Sequence, residues 1–185
     1  MQRHYSPGRT WEATARGMVH LLDPGDVLDI ASGDGVLAEL LAPRAKSIVC
    51  LDISKRVAEA GKKRLQAFAN AKFEVGDMHS LPVDDNAFDT VLLMHALTYT
   101  RQPAKVFSEA ARVLRGGGKL LAVTLQKHRH EKAVEPFNHV NLGFTSNQLT
   151  KLSNEAGLQV QACTVSAIEK RAPNFSILSL SAIKP

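Results

Sequence analysis

Two carboxylates, Asp29 and Asp52, each close a short apolar run, Val27-Leu28 and Ile48-Val49-Cys50-Leu51, and twenty-three residues separate them. Between them, Ala31-Ser32-Gly33-Asp34-Gly35 opens a turn ahead of the helix-like run Val36 to Pro43. A strand, a glycine-bearing turn and a helix start let a ligand approach the backbone closely, because glycine adopts positive φ and carries no Cβ. A strand-end acid about 20 residues further on is spaced to accept both hydroxyls of a ribose. The pair therefore points to a nucleoside. It is not a pyrophosphate fingerprint, since the turn positions hold Ala31, Gly33 and Gly35 and lack the third glycine of G-x-G-x-x-G. The competing reading of both acids is a turn or helix cap.

The elements that must hold these residues alternate. Strands are expected near 27–31, 47–52, 72–76, 87–94 and 118–125, and helices near 10–22, 35–43, 54–69, 103–115 and 146–156. Such alternation predicts an α/β fold, a parallel sheet covered on both faces, with ligands at the carboxyl ends of the strands. After Gly157 the runs Leu158–Ser166 and Asn174–Ile183, joined by Glu169-Lys170-Arg171-Ala172-Pro173, read as an antiparallel pair. A chain of 185 residues, 44% hydrophobic and 22% charged, has the composition of a soluble globular domain. No run approaches the 18 or so apolar residues of a membrane span, and MQRHYSPGR is not a secretory signal. Cys50 and Cys163 fall in strand-like runs and read as buried free thiols, consistent with a reducing cytoplasm. The net charge of +5 is spread out, Lys62-Lys63-Arg64 reads as a solvated helix face, and aromatics are only 5%. These features argue against nucleic acid as the partner.

Taken together, the ordered segments resemble the class I S-adenosylmethionine-dependent methyltransferases, whose first motif is an acid followed by G-x-G-x-G. Here Ala31 stands for the first glycine. Gly76-Asp77-Met78 with Leu81-Pro82 is similar to the family's third-strand segment, Asn86 to Met94 to its fourth strand, and Arg112 to Leu121 to its helix, glycine turn and fifth strand. Within the family the chain looks like the ubiquinone/menaquinone C-methyltransferase group. Tyr5 to Glu12 resembles the opening of methyltransferase domains fused to arsenic-repressor-type regulators. The resemblance implies a Rossmann-like doubly wound seven-stranded sheet, mostly parallel with an antiparallel C-terminal strand. It implies one domain over 1–185: an N-terminal cap segment and helix (1–22), a cofactor-binding half (27–125), and an acceptor-side loop with the terminal hairpin (126–185).

The resemblance also implies S-adenosylmethionine as cofactor, with S-adenosylhomocysteine as product. Asp29 and the backbone of Ala31, Ser32, Gly33 and Gly35 would meet its methionine end, Asp52 its ribose, and Asp77 and Met78 its adenine, with Ile53 or Met78 packed on the base and Met94 nearby. Arg9, with Tyr5 and Trp11, would give the methionine carboxylate a planar cationic donor. Methyl transfer is an in-line displacement, so a protein group is needed only to align the nucleophile and take its proton. His95, after the fourth strand, is the candidate base, with a packing role as the alternative. The loop from His128 and His130 to His139 and Asn141 is expected on the acceptor side of the same pocket, and its spacing does not read as a metal site. Two functions fit: methyl transfer to a small-molecule acceptor through an open pocket, or a sensor that binds the cofactor without turnover. Fold does not choose between them.

Overall fold

The computed structural model describes residues 11–185; Tyr5 and Arg9 lie outside them, as does the Trp11 side chain. The elements run α1 (Trp11–Val19), β1 (Asp26–Ile30), α2 (Val36–Leu41), β2 (Ser47–Asp52), α3 (Lys55–Arg64), β3 (Ala71–Val75), β4 (Phe88–Met94), α4 (Pro103–Val113), β5 (Leu114–Leu125), α5 (Glu131–Val134), α6 (Ser146–Glu155), β6 (Gln159–Ile168) and β7 (Ser176–Ile183). Seven strands form one sheet in the order β3-β2-β1-β4-β5-β7-β6. β1 to β5 pair in parallel, and β7 runs antiparallel to both β5 and β6. This is the expected α/β sheet with its antiparallel C-terminal strand.

The period of two along each central strand divides the core between the two faces. Leu28, Ile30, Val49, Leu51, Val91 and Leu93 join Phe107 of α4 and Leu149 of α6 on one side. Val27, Ile48, Cys50 and Leu92 join Leu41 of α2, Ala58 of α3 and Phe73 on the other. β1 is buried along its whole length because strands flank it and helices cover it. Its loop is therefore fixed from below.

Several boundaries differ from expectation for identifiable reasons. α1 ends at Val19 rather than 22, with turns closing through Leu21 and Leu22. Leu114 already belongs to β5, opposite Phe88, and the register then jumps to Thr90 opposite Lys119, so Arg115 to Gly118 bulge out of the strand instead of preceding it. Gly117, at φ +78°, makes that bulge possible. Cys163 is only half-buried, because β6 is an edge strand with most of its side chains exposed. Among the described residues, no helix is long and apolar enough to cross a membrane.

Two polar assemblies position the loops. At the amino ends of the strands, Asp26, Asp89, Lys46 and Arg115 pair among themselves, and the Ser47 hydroxyl, with Lys46 and Arg115, holds the Asp26 carboxyl down at about 2. Nearer the carboxyl ends, the nearly buried Glu109 of α4 accepts the Leu81 N–H at 2.7 Å and two bonds from Arg112. Arg112 also donates to the carbonyls of Leu81 and Val83 and to Asp85. This clamps 81–85, and with it the end of the loop after β3, to α4.

Candidate functional site

A cavity of about 490 Å³ opens at the carboxyl ends of β1, β2 and β3, lined by Ala31, Gly33, Leu51, Asp52, Ile53, Val57, Gly76, Asp77, Met78, His79 and Tyr99. Six of the residues singled out from sequence meet here: Ala31, Gly33, Asp52, Ile53, Asp77 and Met78. The turn after β1 is tied to β2 by its own backbone. Ser32 N–H donates to the Leu51 carbonyl, and Gly33 N–H to Asp52 Oδ2 at 3.2 Å. Asp52 Oδ1 accepts from Ser54 N–H at 2.9 Å. The ribose candidate is thus oriented before any ligand arrives.

Gly33 has φ +58°, and a Cβ placed on it would meet nothing within 4 Å, so the turn presents bare backbone to open space. Ala31 also has positive φ, +55°. An L-residue in this region costs roughly 1–2 kcal/mol, which gives a physical reason for the glycine that the family motif places there. From outside, Arg64 of α3 pairs with Asp34 at 2.7 Å and with Glu39 at 3.1 Å, so one cation of the basic run is a turn clamp and not a solvated charge.

Other expected residues stand back from the cavity wall. Asp29, 1% exposed, lies beneath the turn, since β1 carries it into the sheet before the chain bends. Desolvation, reinforced by the charge of Asp52, pushes its carboxyl up to about 7, and Oδ1 is buried with no hydrogen-bond partner among the described residues. Ser32 Oγ is likewise buried and, among the described residues, has no nitrogen or oxygen partner, and Gly35 serves as the α2 N-cap with φ +79°. Met94 packs against the Val27 and Ile48 side of the core. His95, in the left-handed region at φ +58°, donates its N–H to the Val123 carbonyl and is not part of the lining. Desolvation lowers its pKa, with Glu169 acting in the opposite direction, which favours the neutral ring.

His79 was not among the expected residues. Its N–H and ring Nδ1 both reach Asp77 Oδ1, at 2.9 and 2.6 Å, while Nε2 meets Thr100 Oγ1 at 2.6 Å and Thr100 Oγ1 accepts from Gln102 N–H. A carboxylate only accepts, so Nδ1 carries the proton and a neutral ring accepts from the Thr100 hydroxyl. These bonds lower the Asp77 pKa, the backbone bond most, and leave Oδ2 without a donor among the described residues. The signal that could have found His79 is its place two residues after an acid in a turn.

The His128–Asn141 loop is only partly where the sequence reading put it. Val140 N–H donates to the Thr98 carbonyl, and Asn141 Nδ2 to the carbonyls of Leu97 and Thr100, docking this end on the short helical turn 96–99. His139 thereby packs edge-on against Tyr99, ring centres 5.2 Å apart, behind the wall of the main cavity. His128 and His130 instead line a separate cavity of about 220 Å³ with Phe175. They are drawn there by ring contacts with the β6–β7 connection. Among the described residues, no group of three or more His, Cys, Asp or Glu converges as a metal site.

A family model described as a methyltransferase domain matches residues 28–122, just over half of the chain. A demethylmenaquinone methyltransferase of Renibacterium salmoninarum is 29% identical over 164 residues, covering 89% of this chain and 66% of the relative. The chain thus spans less than two thirds of that relative's length. Among solved structures, geranyl diphosphate C-methyltransferase of Streptomyces coelicolor, in complex with Mg2+, geranyl diphosphate and S-adenosyl-L-homocysteine, superposes with a TM-score of 0.77 at 17% identity, covering 94% of this chain and 77% of that one. The [4+2]-cyclase SpnF superposes at 0.78 with 22% identity, covering 97% and 85%. At these identities the structures establish the fold alone.

Proposed function

The chain belongs to the methyltransferase-domain family, and from that premise we propose that it binds S-adenosylmethionine in the 490 Å³ cavity and transfers its methyl group to a small-molecule acceptor. The observation that carries the reading is the convergence of Asp52, Asp77 and the open backbone at Gly33 on one wall of that cavity. Residues and ligand fit chemically. Asp52 accepts from the ribose hydroxyls, and Asp77 Oδ2 from the adenine amino group. Ile53, Val57 and Met78 give the base apolar surface, and Ala31 to Gly33 approach the amino-acid end. Asp29 Oδ1 and Ser32 Oγ, both short of partners, supply polar capacity beneath that end. For the methionine carboxylate, Arg9 with Tyr5 is the proposed donor.

When bound, the cofactor supplies a sulfonium-borne methyl group, open to displacement by a nucleophile in line with the carbon–sulfur bond. The chain's part is to hold the acceptor and, where the acceptor atom carries a proton, to remove it. Tyr99 forms the wall nearest the β4 loop. His139 packs edge-on against it, and desolvation lowers the pKa of both His139 and His95, which favours the neutral ring that can take a proton.

Incubation of the protein with methyl-labelled cofactor and a panel of small acceptors is expected to give labelled product and S-adenosylhomocysteine, and His95→Ala to slow transfer about 100-fold with cofactor affinity kept. Tight cofactor binding with no transfer to any acceptor would replace the enzyme with a sensor. The [4+2]-cyclase on the same fold shows why turnover itself must be measured.

A further inference from the structure

The second cavity lies between the segment after β5, Gln126 to His130, and the β6–β7 connection, Pro173 to Ser176. None of the residues lining it is a carboxylate. Its polar members Gln126, Lys127, His128, His130, Asn174 and Ser176 can all donate, and Phe175 makes ring contacts with both histidines, at 4.7 and 5.8 Å.

His128 fixes the polarity of the wall. Its Nδ1 accepts the backbone N–H of His130 at 3.2 Å, so the proton of a neutral ring must sit on Nε2. Nε2 is buried and has no hydrogen-bond partner among the described residues. A buried N–H without an acceptor is costly, and an incoming oxygen lone pair relieves that cost. His128 and His130 also stack with centres 5.9 Å apart, which places two ring N–H donors side by side on this wall.

The surrounding chain has the same sign. Among the described residues, Lys127, which lines the cavity, and Arg129, Lys132, Lys170 and Arg171, which lie beside its two segments in sequence, have no ion-pair partner, and they outnumber the acids of residues 126–135 and 169–176, Glu131, Glu135 and Glu169. At the opposite edge of the sheet Lys46 and Arg115 are neutralised by Asp26 and Asp89. Charge has been left unpaired on the edge that carries the ligand cavity.

His139 packs its ring against Tyr99, a wall residue of the main cavity.

We propose that the Gln126–His130/Pro173–Ser176 cavity binds an anionic group, a phosphate or a carboxylate, carried by the methyl acceptor. It would anchor the acceptor at one end while its reactive atom reaches past Tyr99. The volume, about 220 Å³, suits such a group and not a whole substrate. Calling the ligand the acceptor rests on the methyl-transfer reading, whereas the anion site stands on its own geometry.

The test is a titration of the full chain with inorganic phosphate and, separately, succinate, at constant ionic strength, following the histidine ring resonances by NMR. His128 and His130 are expected to shift saturably with at least one of the two while His20 does not move, and the anion that saturates identifies the group. Lys127→Ala and His130→Ala, both at exposed positions, are each expected to weaken that binding about 10-fold, the loss of one charge-assisted bond. Absent shifts, shifts that rise linearly or include His20 equally, or variants that bind like wild type would overturn the site. A parallel cofactor titration separates the two readings: its failure removes the word acceptor and leaves the anion site standing.

Discussion

Asp29 inverts the usual behaviour of a carboxylate in a folded protein. Most are stabilised as anions, but this one is buried under the turn, lacks a partner for Oδ1 and feels the charge of Asp52, so its pKa rises from 3.8 to about 7. Below pH 3.8 the group is protonated in both folded and unfolded chains and costs nothing. Between pH 3.8 and about 7 the unfolded chain releases the proton and the folded chain keeps it, so stability falls as pH rises. About three pH units at about 1.4 kcal/mol each give a loss of about 4 kcal/mol, which levels off above pH 7. Asp29→Asn removes the titration and keeps the shape. Urea denaturation of both proteins from pH 4 to pH 8 is therefore expected to show a stability difference that grows in favour of the variant by about 4 kcal/mol across that window. Cofactor binding, if its ammonium lies near Asp29, should release a proton from the wild type at pH 6 and none from the variant, which calorimetry in two buffers of different ionisation enthalpy would measure. Parallel stability curves would refute the reasoning, because they would mean that Asp29 is ionised in both states.

Two further outcomes concern the walls of the same cavity. Ala31→Gly, which relieves a left-handed alanine at φ +55°, is expected to raise unfolding free energy by about 0.5 kcal/mol after the entropy cost of glycine, and a loss of stability in a melt would contradict the strain argument. His79→Ala, which removes the ring bonds to Asp77 and Thr100, is expected to weaken S-adenosylhomocysteine about 5- to 10-fold in a binding titration, and unchanged affinity would show that His79 does not position Asp77.

The legibility of the chain followed the range of the interactions. The strand, turn and helix around Asp29, and the spacing to Asp52, are local, and the structure brings Asp52 to the same cavity wall as the turn. The antiparallel end was readable because two alternating runs follow each other directly. What the sequence did not reveal depends on contacts across the sheet. β5 starts early because Leu114 pairs with Phe88, and the segment before α6 takes its course from Asn141 bonding to the carbonyls of Leu97 and Thr100, over forty residues away. The three histidines looked like one loop. Phe175, distant in sequence, draws His128 and His130 into one cavity, while Tyr99 holds His139 behind the wall of another. Asp29 was readable as a strand-end acid but not as a buried one, since burial belongs to the whole sheet.

The central claim is that the cavity at the ends of β1, β2 and β3 is a nucleoside site of the S-adenosylmethionine type. Isothermal titration of the folded wild-type protein with S-adenosylhomocysteine, alongside Asp52→Ala and Arg9→Ala, tests it most directly. The account predicts saturable binding to one site, weakened by roughly 1–3 kcal/mol in Asp52→Ala and also weakened in Arg9→Ala. No heat with the wild type, or affinity untouched by loss of the Asp52 carboxylate, would contradict it.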